Sequence, residues 1–309
     1  MNIITPIDIT DAMIGAGTTI AEPAAGEQLW SGAGVAYAQS AEVIRATTHR
    51  RYRCAVAHTS AASPVPEADP TRWVDMGPTA RWAPFDAYTS TRANATASLT
   101  YVLSPGFFNA VALYGLVGSQ YALTVRDAPG GAVIYTRTGF LSEDPLGWYE
   151  YLFSPLRPIN KLVFTGIPIR PTAELTLTIS AAAGVPVGLG MLVVGDYRPL
   201  IGVGEWGGTQ HGASAEPVTY SYINTADDGT TTIVRRHSAT NLRARVAMPR
   251  DQADNALAMV QEVLDKPVAW IATDRPGYRG LTTFGIGSGS LSYDSFGNAT
   301  FDLLVKGLT

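Results

Sequence analysis

Polar and apolar residues alternate with a period of two along much of this chain, and the alternation is clearest between positions 97 and 195. Ser98-Leu-Thr-Tyr-Val-Leu103 and Gln120-Tyr-Ala-Leu-Thr-Val-Arg126 read as half-buried strands. Ala110-Val-Ala-Leu-Tyr-Gly-Leu-Val117 is a short apolar run between turn residues, the pattern of a strand buried on both faces. Ala132–Tyr135 pairs across the Asp127–Gly131 turn, and Lys161–Phe164, Ala173–Ile179 and Val187–Val194 complete the series. Upstream, Val35–Tyr37, Val43–Arg45 and Tyr52–Ala57 form shorter strands, the last leading into the Pro-rich turn segment around Pro64 and Pro66. Regularly spaced strands with no helical period predict an antiparallel β-sandwich of jelly-roll type over residues 30–195. Residues 1–29 are left as an arm or extra strands.

The pattern changes after residue 195. A Gly-rich connector, Tyr197–Gly208, precedes a hairpin of Thr219–Ile223 and Thr231–Arg235 around an Asp-Gly turn. Leu242–Met248 alternates as an amphipathic strand. A helix then follows, capped by Asp251, with Ala253, Leu257, Val260 and Leu264 on one stripe and Pro267 as its stop. Val268–Ile271 and two strands around the Asp294–Asn298 turn close the chain. Residues 196–309 therefore read as a small α+β domain, and the fold class as mainly β.

Composition narrows the function. Charged residues make up 16% of the chain, against roughly 25% in ordinary soluble domains; so weakly charged a surface implies partial cover by partner chains. A net charge of −4 carries no basic patch for a nucleic acid. No apolar run is long enough for a membrane span, and the N-terminus lacks the pattern of a signal peptide. The single cysteine, Cys54, reads as a small buried hydrophobe rather than a nucleophile.

Chemistry-bearing residues concentrate between Tyr52 and Asp86. Trp73, Arg81, Trp82 and Asp86 place two indoles, a guanidinium and a carboxylate within fourteen residues. Rigid aromatic faces beside fixed polar groups suit stacking on a sugar ring; the competing reading packs both indoles in the sandwich core. Along Trp82-Ala-Pro-Phe85 an extended chain cannot expose both faces equally, so at least one large ring belongs to the core. Trp148, in the aromatic stretch Asp144–Tyr151, is a further candidate for the rim of a sugar-binding face; the competing reading packs that stretch against the end of the sandwich. His49, His58, His211 and His237 lack the spacing of a metal pair, so no metal or cofactor is expected. Glu67, Asp69 and Asp75 are expected to be solvated loop carboxylates rather than a glycosidase pair. Gly202-Val-Gly-Glu-Trp-Gly lacks the βαβ context of a dinucleotide site, and Gly287–Ser290 lacks that of a nucleophile elbow.

The run Tyr52, His58-Thr-Ser60, Pro66, Trp73, Gly77-Pro-Thr-Ala-Arg-Trp-Ala-Pro-Phe-Asp86 and Ser90-Thr91 resembles the jelly-roll, carbohydrate-binding-type module of tailed-bacteriophage virion proteins. Ala80 stands where that family usually has Asn, and Pro84 where it has Met. Val187–Gly195, Tyr220-Ser221, Arg235, Pro267–Ile271 and the closing Phe301–Leu308 are similar to the C-terminal part of the same proteins. The resemblance implies a non-enzymatic structural protein of a phage tail tip or baseplate. It also implies location in the virion, homo-oligomeric assembly with other tail proteins, and a module facing host surface polysaccharide. The alternatives are an active receptor-binding protein and, further off, a glycan-cleaving enzyme.

Overall fold

The computed structural model describes residues 1–308 except 146, 203, 226 and 276. It is mainly β and antiparallel. A ten-stranded sheet runs in the order Lys161–Phe164, Ala110–Tyr114, Met191–Pro199, Asn2–Pro6, Val268–Ile271, Thr282–Tyr293, Asn298–Gly307, Ser238–Pro249 and Gly208–Thr209, with Ser214–Thr219 also paired to Ser238–Pro249. A four-stranded sheet, Val133–Phe140, Gln120–Arg126, Glu174–Ser180 and Ser98–Leu103, packs against one end of it.

Alternation explains the layers. In Ala110–Tyr114, Val111 and Leu113 point into the core shared with Leu99, Tyr101, Leu123, Leu175 and Leu177 of the four-stranded sheet. Ala110, Ala112 and Tyr114 point the other way, into a second cluster with Ile4, Met191, Ile271 and Phe284. Every residue of this strand is buried, as its unbroken apolar run predicts. A third core joins Leu242, Val246, Phe301, Leu303 and Val305 to Ala253, Ala256 and Val260 of the long helix.

Several expectations are corrected. The run Val187–Val194 is two strands, Pro186–Leu189 and Met191–Pro199, in different sheets. The break is at Gly190, where a Cβ would lie 3.0 Å from Thr89 O and 3.1 Å from Tyr114 O. The boundary placed at 195/196 falls inside Met191–Pro199. Within the N-terminal segment, Asn2–Pro6 is inserted between Met191–Pro199 and Val268–Ile271, so the large sheet crosses that boundary. Residues 13–19 lie along the sandwich, where Gly15 N donates to Val102 O (2.7 Å) and Ser104 N to Met13 O (2.7 Å).

The long helix spans Arg250–Glu262, with Pro249 rather than Asp251 at its N-cap; Asp251 occupies the first turn. Its buried stripe is Ala253, Ala256 and Val260, while Leu264 lies beyond the helix end and is exposed. The expected aromatic loop contains a short helix, Trp148–Phe153. Among the described residues no helix is long and apolar enough to cross a membrane.

Candidate functional site

The Tyr52–Asp86 stretch does not form one surface. Trp73 begins a strand paired with Arg50–Cys54 and is 3% exposed. It packs with Tyr37, Val43, Tyr52 and Cys54, its ring set edge-on to Tyr37 at 5.2 Å. Trp82 is buried in a different cluster, the main sandwich core. Ala83–Phe85 is a 3-10 turn, not an extended strand. That turn brings Trp82 and Phe85 to the same core, their rings edge-to-face at 5.8 Å, so the two faces expected from alternation collapse into one.

Trp82 is fixed by its polar edge as well as its burial. Its Nε1 donates to Glu22 Oε2 (3.0 Å), and Thr79 Oγ1 donates to Glu22 Oε1 (2.8 Å). His49 stacks on the indole at 4.0 Å, with Nδ1 3.0 Å from Glu22 Oε2 and Nε2 3.1 Å from Asp11 Oδ2. Asp11, Glu22 and His49 are also the one set of metal-ligating side chains whose ligand atoms converge within 4.8 Å among the described residues. Glu22 already accepts from Thr79 and Trp82, so the cluster reads as a tie holding the N-terminal segment to the sandwich. Glu27 adds to that tie by accepting from Ala80 N (2.9 Å). No spacing motif announces this triad; its members meet only through the fold.

Arg81 and Asp86 also face inward. Arg81 contributes its carbonyl, which accepts from Tyr101 Oη (3.0 Å), and its Nε is buried without a partner. Asp86 accepts from Thr91 Oγ1 (2.6 Å) and Tyr88 N (2.9 Å), closing its own loop. Burial raises its carboxyl above the usual range, against those two bonds. Asp75 pairs with Arg50 and Glu67 with Arg45, at the surface. Asp69, expected in solvent, is instead buried and accepts from Thr71 Oγ1. Cys54 Sγ lies 3.6 Å from His58 Nδ1, a pairing invisible to spacing; burial pushes the thiol up, away from the nucleophilic thiolate.

Trp148 alone of the five candidates is presented to solvent, at 81% exposure. In helix Trp148–Phe153 the other apolar residues, Tyr149, Tyr151, Leu152 and Phe153, are also exposed, as is Leu156 beyond it. A neighbouring cleft of about 590 Å³ is lined by Asp144, Glu150, Arg157 and Arg279. The hairpin Tyr222–Thr225/Thr231–Val234 is the second such surface. Its cross-strand pairs, Tyr222 with Val234 and Ile223 with Ile233, are exposed on both faces. Comparison with protein-family models, with curated proteins and with solved structures finds no match to this chain.

Proposed function

We propose that this chain is a non-enzymatic structural protein of a phage tail tip or baseplate, working through contacts with other chains of the assembly. The observation carrying this reading is the helix Trp148–Phe153. Five of its six residues are large and apolar and all five are exposed. A helix apolar on all sides is stable when something covers it, and exposed apolar patches of this kind mark contact surfaces. The hairpin 222–234 supports the same reading, since an isolated two-stranded hairpin is marginal in water without a packing surface. The residues that carry the phage-type resemblance, Trp73 and Trp82 above all, serve the core, which fits a module kept for its architecture.

The receptor-binding alternative retains one specific support: Trp148 stands exposed near a cleft with acidic and basic side chains, an arrangement open to sugar stacking. Cryo-electron microscopy of the assembly that contains this chain tests both. Neighbouring chains seated on residues 148–156 and 220–236 are expected; those surfaces bare in the finished assembly would reject the structural role. Glycan density stacked on Trp148 would select the alternative.

A further inference from the structure

We propose that the concave face of the curled ten-stranded sheet holds a site for a small anionic ligand, a carboxylate or a phosphate, with Lys161 Nζ as its central cation. Lys161 lies on the edge strand Lys161–Phe164, and its Nζ donates to the carbonyl of Thr282 at 3.2 Å. Those two strands are five places apart in the sheet, about 24 Å if the sheet were flat. One lysine side chain cannot span that, so the sheet must curl until its strands face each other here. Beside this contact lies a half-open cleft of about 200 Å³, lined by Lys161, Val163, Ile271, Arg275 and Arg279 among others.

The charge balance of this cleft is unusual. Among the described residues neither Lys161 nor Arg275 has an ion-pair partner, and Arg279 only grazes Glu143 at 3.9 Å. The one carboxylate in the lining, Asp274, has both oxygens engaged, by Asn2 Nδ2 (2.9 Å) and Tyr197 Oη (2.6 Å). Burial holds the Lys161 ammonium below the usual lysine range with nothing opposing it. A half-buried cation without a counter-charge loses part of its hydration with nothing to offset it, and an apolar residue would fill an edge-strand position at no such cost. Two of the three N–H groups of Lys161 remain free for an oxyanion. Tyr114, register partner of Lys161 on the same face, is buried with its hydroxyl unpartnered. The apolar lining residues and small volume suit a ligand of about the size of a sugar acid or a phosphate ester. This site stands independently of the assembly role.

Isothermal titration of the full chain at low ionic strength provides the test, with inorganic phosphate in one arm, glucuronate in another, and glucose as the neutral control. At least one anion is expected to bind and glucose not. Lys161→Met should weaken that binding by roughly tenfold or more through loss of a charge-assisted hydrogen bond, with a raised melting temperature near neutral pH. Arg275→Ala should weaken it less, with the same melting temperature as the parent. The stronger of the two anions identifies the ligand type. Silence from both anions, equal affinity in Lys161→Met, or an equal response to glucose would overturn the site.

Discussion

Two aromatic segments of this chain look alike as sequence and end in opposite places. Residues 73–86 carry Trp73, Trp82 and Phe85; residues 148–153 carry Trp148, Tyr149, Tyr151 and Phe153. The two indoles of the first set are buried in separate cores, with Phe85 half-buried against one of them, and the second set is turned out to solvent. What separates them is the company each keeps. Trp82 sits on a turn whose neighbours supply Glu22 for its N–H and His49 for its face. The six-residue helix places apolar side chains all round its axis, and among the described residues no element packs enough surface on it to bury them. Aromatic density alone therefore says little about ligand binding; packing inside a core, with a polar partner for the N–H of Trp82, marks the structural case.

The comparison breaks most visibly on stability. Trp82→Ala is expected to cost about 3–5 kcal/mol, whereas Trp148→Ala should stay within about 0.5 kcal/mol. Denaturant unfolding of both variants decides it, and equal losses would erase the distinction. Next in size, Glu22→Ala strips the partner from Thr79, Trp82 and His49 at once. A loss of about 1–3 kcal/mol is expected from the groups left unpaired; an unchanged unfolding midpoint would show that the tie to the N-terminal segment is idle.

A smaller effect sharpens the comparison from the cationic side. Burial lowers the folded-state pKa of Lys161 below its unfolded value of about 10.4. Between those two values the unfolded chain binds the extra proton, so this lysine's unfavourable contribution shrinks as pH rises. Lys161→Met should therefore exceed the parent in stability near neutral pH by a margin that narrows toward alkaline pH. A margin that stays constant or widens would contradict the desolvation of an unpaired charge at Lys161.

How much of this was legible in the sequence varies by element. Period-two strands such as Ser98–Leu103 and Gln120–Arg126 appear where the alternation puts them, because one buried face fixes the pattern locally. The split at Gly190 and the 3-10 turn at Ala83–Phe85 were not legible. The first depends on the carbonyls of Thr89 and Tyr114, far away in sequence, and the second on Pro84 continuing a turn that begins at Thr79. The insertion of Asn2–Pro6 into the large sheet, the meeting of Asp11, Glu22 and His49, and the reach of Lys161 to Thr282 are all products of strand order, on which residue spacing is silent. For the candidate ligand residues, the sequence located the aromatics but not their burial. Only Trp148 remains exposed.

Hydroxyl-radical footprinting, read tryptophan by tryptophan on the isolated chain and on the assembly proposed for it, tests the central contrast most directly. Trp148 should be modified readily in the isolated chain and protected in the assembly, while Trp73 and Trp82 stay protected in both. Ready modification of Trp82 in the folded chain, or a Trp148 equally reactive in both states, would contradict a buried architectural motif paired with an outward contact helix.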